Sequence, residues 1–299
     1  MSFRRFRLYI ILLFFIAVSL FIIFMFQYNN KKEPTSVPVS VIIPCYNSQI
    51  YLPSLFLMFK AQTLKNYELI FVDDGSTDNT NFLIRNEQAK DKRIKLITLK
   101  KNTGAGNARN IGLRSAIGEY VIFLDSDDIF HPNLLKTSYK LASKNNVDIL
   151  VFNFECINSN NASCKQYRDF LFEYPYPINK VFSPKDIPDN VFTFSRGIPW
   201  NKLFKRDFII KNNLHFLNLK IHNDSFFVYT SYVMAERIYV TKKILLTYRW
   251  HNKDSITSTH KAVEEECIKK NLGELKRFLL EKKLYNIYKR SFQKISTNF

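Results

Sequence analysis

Residues 39–78 read VSVIIPCYNSQIYLPSLFLMFKAQTLKNYELIFVDDGSTD, and their pattern decides the fold class. Residues 39–43 (VSVII) form a β-branched run closed by Pro44, the signature of a buried strand. Leu52, Leu55, Phe56 and Phe59 recur at helical spacing. Residues 68–72 (ELIFV) form a second strand, stopped by Asp73-Asp74-Gly75-Ser76. Working outward, a third strand is expected at 94–99, a helix at 109–117, a fourth strand at 120–124 and another at 148–152. Strands alternating with helices of about ten residues predict an α/β fold with a mostly parallel sheet flanked by helices. In such sheets ligands bind beyond the carboxyl ends of the strands. That rule selects the loops at 44–48, 73–78, 101–107 and 125–128. Beyond residue 152 the alternation loosens into a less regular half, and residues 261–299 turn helical.

Upstream of this domain, residues 8–26 (LYIILLFFIAVSLFIIFMF) hold no charge and approach the ~20 residues that a helix needs to cross a bilayer. A cleaved signal peptide would have a shorter apolar region and a small-residue cleavage site, whereas Phe24 to Tyr28 offer none. The expectation is a single-pass anchor at 8–26, with a tail at 1–7 and a polar stem at 27–38. Arg4, Arg5 and Arg7 favour an inside N-terminus and hence a lumenal or external domain. In a eukaryote this means a type II protein facing the Golgi lumen. A bacterial source would instead require a domain facing the cytosol.

The chain carries a formal charge of +18, which suggests an anionic partner. Five basic residues and one acid flank the span, and ten basic residues face five acids in 261–299. The remaining +9 belongs to the core. The basic tail is either a contact for anionic lipid or a solvated helix face. No zinc finger, RNA-binding aromatic signature or basic recognition helix is present, so nucleic acid is not expected as a partner.

Asp125-Ser126-Asp127-Asp128 follows the fourth strand directly. Two carboxylates separated by one residue in a turn can aim at one point, and hard oxygen ligands suit Mg²⁺ or Mn²⁺ bound together with phosphates. Asp-x-Asp is also a plain capping or Asx-turn sequence. Asp73 and Asp74 can accept hydrogen bonds from a base or ribose, with Gly75 permitting close approach. Gly104-Ala105-Gly106 begins like a dinucleotide fingerprint, yet Arg109 replaces the third glycine and the loop follows the wrong strand, which argues against NAD.

Taken together, VSVIIPCYN (39–47), ELIFVDDGSTD (68–78), NTGAGNARNIGL (102–113) and GEYVIFLDSDD (118–128) resemble, in order, the signatures of family 2 glycosyltransferases. PWNKLFKRDFI (199–209), HNDSFF (222–227) and, more weakly, YRWHNKDSIT (248–257) extend the resemblance. It implies a GT-A fold, a nucleoside-diphosphate sugar donor with a UDP-sugar foremost, a divalent metal, and inversion during transfer to a glycan or glycoconjugate hydroxyl. By the same resemblance Pro44, Tyr46, Asp73 and Asp74 line the nucleoside pocket, and Arg109 faces base and phosphates. Asp125 and Asp127 hold the metal, Asp127 more directly, and Ser126 joins the donor-binding residues. Asp224 matches the catalytic base, although Asn223 and His222 stand where the family has Glu and Gly. Trp200 and Lys202 match an acceptor-side motif, or are packing and surface charge. His251 either reaches metal or phosphate or is an ordinary loop histidine.

Arg249-Trp250 lacks the glutamine that a processive synthase would carry three residues before the arginine, so single-sugar transfer is expected. A sugar-nucleotide or carbohydrate-binding module without turnover is the competing reading. Cys156 and Cys164 bracket the sequon at Asn161 and either pair or remain thiols. A second sequon at Asn223 adjoins the base and is expected to stay unused.

Overall fold

Strand β1 (Val39–Cys45) is buried along nearly its whole length, as its β-branched run requires, because helices cover both faces of the sheet. The structure is a computed structural model, and it describes residues 37–158, 176–250 and 261–297. The expected span at 8–26, most of the stem, Asn161, Cys164 and His251 lie outside the described residues. Among the described residues no helix is long and apolar enough to cross a membrane.

After β1 come α1 (Leu52–Lys60), β2 (Glu68–Asp73), α2 (Thr80–Gln88), β3 (Ile94–Thr98), α3 (Ala105–Ser115) and β4 (Tyr120–Phe123). The predicted strands match closely. The helix expected from 109 starts four residues earlier, because Gly104 at φ 91° ends the preceding loop. Beyond β4 follow β5 (Ile129–Phe130), α4 (Leu134–Asn145), β6 (Ile149–Asn158), β7 (Val181–Phe182), β8 (Lys202–Lys205) and α5 (Arg206–Lys211). Then come α6 (Ser225–Met234), β9 (Ile238–Trp250), α7 (Lys261–Glu281) and α8 (Tyr285–Thr297).

The strand order is β3-β2-β1-β4-β8-β6-β9-β5, with β7 beside β9. The first four strands are parallel, as expected. The remainder corrects the expectation of a mostly parallel sheet: β8 runs antiparallel to both β4 and β6, and β5 and β7 run antiparallel to β9. Only β6 and β9 restore a parallel pair there. A four-residue strand such as Lys202–Lys205 is too short for a periodic signal. The less regular half therefore extends the same sheet.

Alternate residues divide the core. Ile42, Ile70, Val121 and Phe123 face α3 and α5–α8. Val41, Ile43, Leu69, Phe71 and Ile122 face α1, α2 and α4. Leu275 and Leu279 of α7 and Tyr288 and Phe292 of α8 seal the first face, which accounts for the apolar spacing of the C-terminal segment.

Candidate active site

At the carboxyl ends of β1 and β4 lies a cavity of about 960 Å³. Pro44, Tyr46, Asn47, Ser48 and Tyr51 form one wall, and Asp74, Thr103 and Gly104 form another. Arg109, Asp125, Ser126 and Asp127 also line it. Residues 218–221, Asn223, Tyr248 and Arg249 close the far side.

The donor-side loops are bound to one another. The backbone N–H of Asn47 donates to Ser76 Oγ (3.0 Å), and Asn47 Oδ1 accepts from the Thr77 N–H (2.9 Å). The N–H groups of Ser48 and Gln49 donate to Thr80 Oγ1 (2.7 Å) and Asp78 Oδ2 (3.1 Å). Asp74 is buried and accepts from the Thr103 N–H and hydroxyl (both 2.8 Å) and from the Gly104 N–H (2.7 Å). Gly75, at φ 72°, lets this loop approach, since a Cβ there would stand 2.6 Å from the Lys101 carbonyl carbon. Asp73 is also buried but does not line the cavity. Its carboxylate accepts from the Ser76 N–H (3.0 Å) and Asn81 Nδ2 (2.7 Å), so it shapes the turn that presents Asp74.

Arg109 is buried, with its guanidinium 5.5 Å from the centre of the Phe216 ring. Nη2 donates to Asp125 Oδ1 (2.7 Å) and Nη1 to Asn223 Oδ1 (2.9 Å). Its fork thus ties the end of β4 to the loop before α6. Asn223, at the position where the family resemblance places Glu, is one anchor of that fork. Its side chain is buried, and its Nδ2 donates to the Leu219 carbonyl oxygen (3.3 Å).

Asp125 and Asp127 both face the cavity, and Ser126 Oγ donates to Ser48 Oγ (3.1 Å). Asp128 turns inward. It accepts from the Arg249 backbone N–H (3.3 Å), while its Oδ2 is buried with no hydrogen-bond partner. Burial first, then repulsion from Asp127 and Asp125, raises its carboxyl well above the usual range. Among the described residues no three His, Cys, Asp or Glu side chains converge to hold a metal alone. The donor set nevertheless fits a divalent cation. Two hard carboxylates line the cavity, and Mg²⁺-like ions commonly take one or two such ligands and draw the others from phosphate and water.

Asp224 stands at the N-cap of α6, yet its side chain makes no capping hydrogen bond. Burial raises its pKa, with Asp125 adding to the effect and Arg109 and His222 opposing it. The result is a carboxylate without a capping bond, on which the charges of Arg109 and Asp125 act in opposite directions.

Trp200 and Lys202 depart from an exposed acceptor surface. Trp200 stacks on Tyr248 (5.3 Å between ring centres, 8° between planes) and meets the edge of Phe154. One face of its buried indole is thus occupied by Tyr248, itself a cavity residue. Lys202 is fully buried. Cys45 and Cys267 are free and buried.

Residues 218–221 give no motif signal in the sequence. They are placed by contacts distant along the chain: Gly106 packs so tightly that a Cβ would stand 2.4 Å from the Leu217 carbonyl oxygen. Asn271 of α7 donates to the His222 carbonyl (2.7 Å), and His222 Nε2 lies 3.2 Å from Glu264.

The profile of the family described as Glycosyl transferase family 2 matches residues 40–208. Glycosyltransferase GlyG of Streptococcus pneumoniae is 30% identical over 71% of this chain and 70% of that protein. The Escherichia coli UDP-Glc:alpha-D-GlcNAc-diphosphoundecaprenol beta-1,3-glucosyltransferase WfgD is 40% identical, over 41% of this chain and 48% of that protein. The crystal structure of Staphylococcus aureus TarS 1–349 in complex with UDP-GlcNAc superposes with a TM-score of 0.64 at 25% identity, covering 80% of this chain and 66% of that one.

Proposed function

This chain belongs to glycosyl transferase family 2, and on that premise we propose that it transfers one sugar at a time, with inversion, from a UDP-sugar to a hydroxyl of a glycan or glycolipid. The observation that supports this reading most is the cavity onto which Pro44, Tyr46, Asp74, Asp125 and Asp127 converge from three separate strand ends, with Arg109 from α3. A relative solved with UDP-GlcNAc supports the donor class. A relative that acts on a diphospholipid-linked sugar supports a glycolipid acceptor.

Tyr46, half exposed at the mouth, offers a ring face to the nucleobase. Asp74 faces the nucleoside from the floor of its loop. Arg109 holds Asp125 in place through the 2.7 Å bond from Nη2. Asp125 and Asp127 would hold Mn²⁺ or Mg²⁺, which when bound supplies positive charge to the departing diphosphate. On the other side Asp224 takes the proton of the acceptor hydroxyl. The acceptor oxygen bonds to the anomeric carbon as the bond to the diphosphate breaks, releasing the nucleotide.

The test offers the full chain a panel of nucleotide sugars with Mn²⁺ or Mg²⁺ and measures nucleotide release. UDP-sugars are expected to be consumed. Silence across the panel, with binding retained, would favour the non-catalytic module.

The raised pKa of Asp224 sets a pH dependence. A general base works only when ionised, so kcat/KM should fall as pH drops through a value above the ordinary carboxylate range. A pH–rate profile with an acid limb near 4 or below would contradict this role.

We also propose that residues 8–26 anchor the chain in a membrane, with residues 27–38 as stem. The bacterial sources of the relatives support a domain facing the cytosol, opposite to the orientation favoured by Arg4, Arg5 and Arg7. Protease digestion of sealed vesicles decides the side.

A further inference from the structure

Lys202 opens β8 and has no exposed surface. Its Nζ donates to the carbonyl oxygens of Arg196 (3.0 Å) and Ile198 (2.7 Å) and to Asn201 Oδ1 (2.6 Å). An ammonium has three donors and no acceptor, so three oxygens satisfy it fully. A neutral amine would turn its lone pair against one of them. No carboxylate is among these hydrogen-bond partners. Burial pulls the lysine well below its usual range, and the charge of Asp224 acts in the opposite direction. The ammonium also lies 5.7 Å from the centre of the Tyr232 ring on α6.

All three acceptors belong to residues 196–201, and that segment is pressed onto the beginning of α6. A Cβ on Gly197 would stand 2.9 Å from Tyr229 Cζ and 3.0 Å from Ser225 Cβ and Oγ. Ser225 directly follows Asp224. A displaced segment would therefore release the first turn of the helix whose start fixes that carboxylate.

We propose that Lys202 is a positioning residue for Asp224: its ammonium holds residues 196–201 against the start of α6, and its buried charge acts on that carboxylate. The proposal rests on the reading of Asp224 as the base. The other charged or titratable groups acting on Asp224 are Arg109 from α3, Asp125 after β4, His222 on the preceding loop and Tyr229 on α6 itself. Lys202 bonds the segment packed on Ser225 through three oxygens, and Tyr229 also bonds it at Gly197.

The experiment measures initial rates against pH, with both substrates varied, for the full-chain enzyme and for Lys202→Met, which conserves length and removes the charge. Loss of a cation acting on a carboxylate disfavours its ionised form. The acid limb should therefore move to higher pH, kcat should fall about tenfold or more, and the donor KM should stay within about twofold. If Lys202→Met does not fold, Asn201→Asp takes its place: a carboxylate on Nζ cancels the charge and should shift the same limb upward. A folded variant with an unmoved acid limb overturns the proposal, even if kcat falls, because a merely structural role would leave the limb in place. Failure of both variants to fold assigns Lys202 to stability alone and overturns it as well. Asp224→Asn, run alongside, separates the two readings. Full activity there removes the base, whereas an inactive Asp224→Asn with an unmoved Lys202→Met limb overturns only the positioning role.

Discussion

Asp224→Asn is expected to slow sugar transfer by roughly 10²–10⁴-fold, the usual worth of a positioned general base. Nucleotide-sugar affinity should change by no more than about twofold, since the interaction lost is made in the transition state. The structure supports this division. Asp224 is not among the residues lining the donor cavity, and its carboxylate is not spent on capping α6. The exchange conserves size and leaves the helix start in place. Affinity is read by titration calorimetry with the nucleotide sugar and transfer by product formation. Near-normal turnover would remove Asp224 from the mechanism, and loss of nucleotide binding would show that it shapes the cavity instead.

Arg109→Met should act on stability and chemistry together. Its guanidinium is nearly buried, and it is both the counter-charge of Asp125 and the hydrogen-bond donor to Asn223. Breaking a buried pair from one side commonly costs 3–5 kcal/mol. Because the Asp125 side chain remains 32% exposed, the lower end applies, about 3 kcal/mol. At 2–4 °C per kcal/mol for a domain of this size, Tm should fall by roughly 6–12 °C. Transfer should fall at least about tenfold at temperatures where the variant stays folded, because Asp125 loses its orientation beside Asp127. Arg109→Lys should restore little, since one ammonium cannot bridge two acceptors in the geometry of the fork. A melting curve and a rate both close to wild type would show that the brace is dispensable.

Local sequence was a good guide to the donor half. The apolar runs at 39–43, 68–72 and 120–124 sit between turn residues, and each became a parallel strand with its loop on the cavity. The roles of individual side chains were less visible, because they depend on partners far along the chain. Asp73 and Asp74 look equivalent, yet one bonds within its own turn and the other reaches Thr103 and Gly104. Arg109 meets Asn223 across 114 positions. Trp200 and Lys202 sit in a motif open to either an acceptor contact or packing and surface charge; Trp200 packs, and the placement of β8 between β4 and β6 buries Lys202 instead of leaving it a surface charge. The wall at 218–221 carries no signal, since α7 and Gly106 place it from outside.

The bonds among Asn47, Ser76, Thr77, Thr80 and Asp78 join two donor-side loops without using any group of a bound nucleotide. Their conformational entropy has been surrendered during folding and need not be surrendered again on binding. The nucleoside therefore meets loops that are already fixed to one another. The far wall is joined to this scaffold through the Arg109 fork to Asn223 and the packing of Gly106 on Leu217, so a changed acceptor wall must keep those two joints.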